Sequence, residues 1–351
     1  MVALQPLTRQ PPPPDRPTHL RAVPHHRLLP FIVLLVCVGV GCIARLGRLE
    51  RIPAETLRST PERIARGAYL VEHVTVCLDC HSQRDWDLFS APIVPGTEGQ
   101  GGEVFDSRHG VRGVVYATNI TPAALSWWTD NELLRAVTIG VNRKGDVLFP
   151  VMPYRRYRYL TQGDAAAIIR YVRTLPPIGH QVPPRQLNFF VKFFIRSFAD
   201  DKVRLALAPG EDNDRGEPDQ VEYGQYLTRL ANCGDCHTPR NLAGEPEPNR
   251  VMAGGVKFTL PQGTVWSANL TPDRDTGIGR WTPAAFVGRF KSFAGPRSRA
   301  RTVGTGGMNT TRPWTMYAGM SQTDLEAIYA YLRQVKPVAN RVAAFASVDP
   351  L

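Results

Sequence analysis

The chain has 351 residues, 43% of them hydrophobic, with six cysteines and a formal net charge of +11 at pH 7. Residues 1–51 hold seven Arg, one Asp and one Glu, or +5, which leaves +6 for the remainder (11 − 5). That mild excess suits an acidic partner, an anionic membrane surface or simple solubility, and no basic cluster with interleaved aromatics marks a nucleic-acid binder.

Residues 1–27 are basic and proline-rich, with QPPPP at 10–14, and read as a disordered tail. LLPFIVLLVCVGVGCIA (28–44) then runs seventeen residues without a charge between Arg27 and Arg45. As a helix it would span about 26 Å, near the lower limit for crossing a bilayer. We read 28–46 as a transmembrane anchor, with a cleaved signal peptide as the alternative. No small-x-small cleavage site stands out, and Gly39 makes GVGC a poor lipobox.

The next segment, Ala65 to Val76, sets Ile64, Ala68, Leu70, Val71 and Val74 at helical spacing and leads into CLDCH at 77–81. Thr129 opens a helix with Glu132 three residues on, a capping box. Thr161 to Arg173 carries Ala165, Ile168, Ile169 and Val172 on one face and stops at Pro176–Pro177. After a linker at 179–219 the pattern returns. CGDCH stands at 233–237, and Ser321 to Val335 carries Leu325, Ile328, Tyr329 and Leu332.

The return is an internal repeat. ARGAYLVEHVTVCLDCHSQR matches EYGQYLTRLANCGDCHTPR, GVVYATNITP matches GTVWSANLTP, WTDNELLRAV matches WTPAAFVGRF, and LTQGDAAAIIRYVRTLPP matches MSQTDLEAIYAYLRQVKP. The four matches keep their order at offsets of 156, 150, 153 and 160. Each repeat, at about 120 residues, is long enough for a small domain with its own core.

Cys-x-x-Cys followed directly by His is the pattern of c-type haem attachment. Two thiols one helical turn apart reach the two vinyl groups of one haem, and the adjacent His reaches the iron. Cys77, Cys80, Cys233 and Cys236 are the expected thioether residues, with His81 and His237 as proximal ligands. A zinc site assembled from both pairs needs spacings of roughly 15–20 residues, far below 156. A thioredoxin-type redox pair needs a βαβ context that neither motif has. Cys37 and Cys42 stand in the apolar N-terminal run, so no cysteine is left for a disulfide framework.

For the sixth ligand of haem 1, Met152 in FPVMPYRRY sits on a proline-stiffened loop before the last helix. In the second repeat that position holds Arg312, which stays protonated and cannot ligate. Met316 is the preferred candidate and Met308 the rival; an open sixth position is the third possibility. The apolar strip LNFFVKFFIRSF (187–198) reads as a docking strip or as packing between the repeats. Asn119 and Asn269 read either as hydrogen-bonding residues at a haem edge or as parts of Thr-Pro turns. Trp127, Trp128 and Trp281 read as core or haem-packing residues.

These stretches, above all NITP…W…ELLRAV…G…LFPVMPYRRYRYLTQGDAAAIIRYVRTLPP, resemble the class I c-type cytochromes. They are most similar to the cytochrome c subunits of membrane-bound alcohol and sugar dehydrogenases. The resemblance covers residues 60–178 and 220–340. It implies an all-α fold of two tandem cytochrome c domains (55–178 and 220–345) behind the transmembrane helix, and two covalent haems. It also implies His/Met ligation and electron transfer on the periplasmic side of the inner membrane. The implied partners are a dehydrogenase donor and a cytochrome or oxidase acceptor. The family's dehydrogenase subunits carry three haems where this chain has two motifs, and Arg312 stands in place of the second Met. That replacement motivates a second reading, a peroxidase-like dihaem enzyme with an open site at haem 2.

Overall fold

The computed structural model describes residues 48–347, apart from 50–51, 54, most of 189–218, 242–243 and 305. The tail and anchor read over residues 1–46 lie outside these. In chain order, the first repeat begins with β1 (Arg48–Leu49) and α1 (Pro61–Tyr69), and continues through a five-residue π turn, Leu70–Val74. It then forms α2 (Cys77–Cys80), β2 (Val104–Phe105), β3 (Gly113–Tyr116), α3 (Asp130–Ile139), α4 (Tyr154–Tyr157), α5 (Gln162–Val172) and β4 (Gln186–Leu187). β5 (Lys202–Val203) pairs in parallel with β1. The second repeat forms α6 (Gln220–Leu230), α7 (Cys233–His237), β6 (Lys257–Leu260), β7 (Gly263–Trp266), α8 (Pro283–Lys291), α9 (Trp314–Tyr317), α10 (Gln322–Gln334) and β8 (Phe345–Ser347).

Local chemistry accounts for the helix starts. Thr60, Thr129, Thr161, Thr282 and Ser321 are N-caps whose hydroxyls accept from the backbone N–H three residues on. At Thr129 the carboxylate of Glu132 also accepts from the cap's own N–H, completing the capping box.

The all-α expectation is overturned. Each repeat carries a three-stranded antiparallel sheet, β2-β3-β4 in the first and β6-β7-β8 in the second. The third strand of each comes from chain beyond the last helix: Val114 pairs with Gln186, and Thr264 with Ala346. No helix among the described residues is long and apolar enough to cross a membrane, and the anchor expected at 28–46 lies outside those residues.

The repeats also share more than was expected. One cluster of buried apolar side chains runs through both, including Leu70, Leu134 and Ile169 of the first and Leu227, Leu325 and Leu332 of the second. Helix crossings are close. A Cβ on Gly67 would lie 2.0 Å from the Ala167 carbonyl oxygen, and one on Gly224 1.9 Å from that of Ala327. Only glycine allows α1 to cross α5, and α6 to cross α10, at that distance.

Hydrogen bonds between the repeats come in reciprocal pairs. The Tyr69 hydroxyl donates to Asp324 (2.5 Å) and accepts from Ser321 N–H (3.0 Å). The Tyr226 hydroxyl donates to Asp164 (2.7 Å) and accepts from Thr161 N–H (3.4 Å). Each first helix thus caps the start of the other repeat's last helix. Of the strip at 187–198, Leu187 and Ile195 join Val111, Val115 and Val147 in a cluster of the first repeat. Phe190 stays 70% exposed.

Candidate functional site

Both Cys-x-x-Cys-His segments fold as one short helical turn, preceded by a residue in the left-handed region: Val76 at φ 45° and Asn232 at φ 55°. A β-branched residue rarely tolerates that conformation. Long-range bonds hold the turn on either side. Tyr157 donates to the Thr75 carbonyl (3.0 Å), and its counterpart Tyr317 to the Ala231 carbonyl (2.8 Å).

The histidines are oriented by the backbone. His81 Nδ1 lies 2.6 Å from the Thr118 carbonyl oxygen and His237 Nδ1 lies 2.8 Å from that of Ala268. A carbonyl only accepts, so Nδ1 carries the proton and Nε2 the lone pair. Gly101 N–H donates to the His81 carbonyl (2.8 Å), and Gly254 N–H to that of His237 (2.7 Å). Both glycines have positive φ, and a Cβ there would meet the 117–119 or 268–269 backbone at 2.4–2.6 Å.

Asn119 and Asn269 fix the carbonyl-bearing loops. Asn119 Oδ1 accepts from Thr121 N–H and hydroxyl, and its amide donates to the Ile178 carbonyl. Asn269 does the same with Thr271 and Val338. Of the two readings of these residues, the Thr-Pro turn matches their contacts, and through the turn they position the carbonyls that orient the histidines.

None of the four motif cysteines is in a disulfide; Cys77, Cys80 and Cys233 are half-buried and Cys236 is exposed. Burial raises the Cys77 and Cys80 thiols, and the Asp79 carboxylate raises Cys80 further. Asp79 pairs with Arg84 at 3.3 Å, and Asp235 pairs with Arg240 at 3.2 Å and with Arg156 of α4. Burial lowers the His81 imidazole. Burial first, and the Arg312 charge second, push His237 down to about 3. Both imidazoles have Nδ1–H engaged, which leaves the Nε2 lone pair as the one that can bind iron, and the thiol pairs beside them fit thioether attachment; at His237 that lone pair faces Arg312 Nη1.

The methionines are placed less evenly. Met152 is half-buried and packs on the shared core. Met308 is 43% exposed. Met316 packs half-buried on the same core, and its carbonyl accepts from His73 Nδ1 (3.0 Å) of the first repeat. A cavity beside Cys233 is lined by Leu270, Phe286, Phe290, Arg312, Tyr317 and Ile328, among others, but by neither Met308 nor Met316. The side chain that meets His237 is Arg312, with Nη1 3.1 Å from Nε2.

The core reading of the tryptophans holds for one of three. Trp127 is 78% exposed and Trp281 is also exposed; only Trp128 packs against the core. Sequence reasoning missed the Thr118 and Ala268 carbonyls, the glycine clamps and the Tyr157 and Tyr317 braces. Each recurs at matching places in the two repeats, and that recurrence was the available signal.

No protein-family model matches the chain. It is 30% identical over 315 residues to the fructose dehydrogenase cytochrome subunit of Gluconobacter japonicus, a match that covers 87% of this chain and 58% of that protein. It is 28% identical over 300 residues to the cytochrome c subunit of an alcohol dehydrogenase (quinone) from Gluconacetobacter polyoxogenes, covering 81% and 58%. It is 27% identical over 270 residues to a dihaem c-type cytochrome of Cereibacter sphaeroides, covering 75% of this chain and 82% of that one. The chain therefore spans under two thirds of the length of the dehydrogenase subunits it matches. Over most of its own length, the chain is a relative of the cytochrome c subunits of dehydrogenases and of a dihaem c-type cytochrome.

Proposed function

We propose that the chain is a dihaem c-type cytochrome that carries electrons, on the periplasmic side, from a dehydrogenase to a respiratory-chain acceptor. The observation that supports this most is the matched pair of Cys-x-x-Cys-His turns, each with its imidazole Nδ1 bound to a backbone carbonyl. Cys77 and Cys80 would hold haem 1 and Cys233 and Cys236 haem 2, and His81, Met152 and His237 would supply iron ligands. Each haem supplies a one-electron Fe(II)/Fe(III) couple. The residues orient the ligands, keep the imidazoles neutral and surround the site with apolar side chains, which limits water reorganisation when charge changes.

Pyridine haemochrome assay against protein mass should give two covalent haems per chain, and Met152→Ala should turn haem 1 high-spin and lower its potential. One haem per chain, or haem extractable by acid acetone, would sink the reading. The peroxidase-like reading draws on the position of Arg312 alone, and the absence of peroxide-dependent turnover in the purified holoprotein would leave the carrier.

A further inference from the structure

Arg312 stands in the register of Met152. The surrounding frame is the same in both repeats: Pro153 and Pro313 follow, Tyr157 and Tyr317 make equivalent hydrogen bonds, and Leu160 and Met320 are both buried. The residue at the centre of the frame is not. A thioether is a neutral ligand, whereas a guanidinium keeps its proton and has no lone pair to give.

The Arg312 backbone is pinned from the first repeat. The buried Ser90 hydroxyl donates to the Arg312 carbonyl (2.6 Å) and accepts from Trp314 N–H (2.8 Å). That brace fixes the loop between Met308 and Met316, and Arg312, not either methionine, lines the cavity beside Cys233. The guanidinium lies 4.4 Å from the Trp314 ring centre, 5.3 Å from Phe290 and 5.8 Å from Tyr317, and reaches His237 Nε2. Leu270, Phe286, Ile328 and Leu332 complete an apolar lining. Among the described residues no carboxylate forms an ion pair with Arg312. A fixed cation among apolar walls is costly until an anion meets it.

We infer that haem 2 has no thioether on its sixth side, and that Arg312 makes that side a binding site for a small monovalent anion. The inference rests on the proposed attachment of a haem at Cys233, Cys236 and His237.

The test is titration of the ferric full-length holoprotein with azide, followed by optical and EPR spectra, after haem content has been measured. One of the two haems should be high-spin and should convert to low-spin at one azide per chain. Arg312→Gln should weaken azide about ten- to a hundredfold, the range of a hydrogen bond to a charged group. Binding of neutral imidazole should change less than about threefold, since charge selection is the property at issue. Two low-spin haems that ignore azide overturn the inference and leave the attachment reading standing. Unchanged azide affinity in Arg312→Gln also overturns it, because the guanidinium then serves another group, such as a haem propionate. Fewer than two haems per chain overturns the attachment reading itself.

Discussion

From Tyr69 to Cys77 the first repeat takes eight steps; from Tyr226 to Cys233 the second takes seven. The extra residue is absorbed in the π turn at Leu70–Val74, where Thr75 N–H reaches back five residues to the Leu70 carbonyl (2.7 Å). Past it both chains arrive at the same left-handed residue and the same motif turn. The comparison teaches where each repeat may vary. Backbone that presents the motif is kept at the cost of a locally irregular helix, whereas the residue at one matched position changes from Met152 to Arg312, and Arg312 meets His237. The frame is shared and the chemistry on its open side is not.

The largest effect should come from the helix crossings, where the repeats are most alike. Gly67→Ala and Gly224→Ala each force a Cβ into a carbonyl, and each should cost about 3 kcal/mol. Chemical denaturation followed by circular dichroism checks this. Because buried side chains of both repeats join one cluster, either substitution should lower a single transition of the whole molecule. Two separated transitions would break the picture of one body.

Next come the crossed tyrosines. Asp164 also holds Arg66 through two bonds, 2.8 and 2.9 Å, whereas Asp324 has no cation in ion-pair contact among the described residues. Tyr69→Phe should therefore cost about 2 kcal/mol and Tyr226→Phe about 1 kcal/mol. Equal losses would show that Arg66 does not compensate.

The helix caps should be close to equal. Thr129→Ala and Thr282→Ala should each cost about 1 kcal/mol in thermal or chemical unfolding. The smallest effect tests where the caps differ, since Ala285 stands where the first repeat has Glu132. Thr129 N–H, donating to the Glu132 carboxylate, holds that group below its ordinary pKa. Its contribution is therefore present above the unfolded carboxylate value and disappears as pH falls through the folded one. Glu132→Gln should cost a few tenths of a kcal/mol at pH 7 after solvent screening. It should match the parent protein only once the pH has fallen well below the ordinary carboxylate value.

The attachment motifs, the caps at Thr129, Thr161 and Ser321, and the repeat itself were legible in the chain because they are local. A Cys-x-x-Cys-His turn or a Thr-x-x-Glu box is decided by residues within about one helical turn. The sheets were not legible. Strands of two to four residues show no alternating pattern, and their third members arrive from 72 and 82 positions away, Val114 to Gln186 and Thr264 to Ala346. Helical periodicity in α5 and α10 was strong enough to hide them, and the all-α reading followed.

At the histidines, sequence alone determined which residues could ligate: an imidazole beside two thiols, with a methionine available in one repeat and an arginine in its place in the other. Tertiary structure decided what each imidazole faces. His81 found the Thr118 carbonyl 37 positions on, and His237 found Arg312 75 positions on. Tyr69 and Tyr226 found carboxylates in the opposite repeat. Such pairings depend on how the chain returns on itself when its apolar faces are buried together. No short stretch of sequence contains that information, because the partners become neighbours only in the packed core.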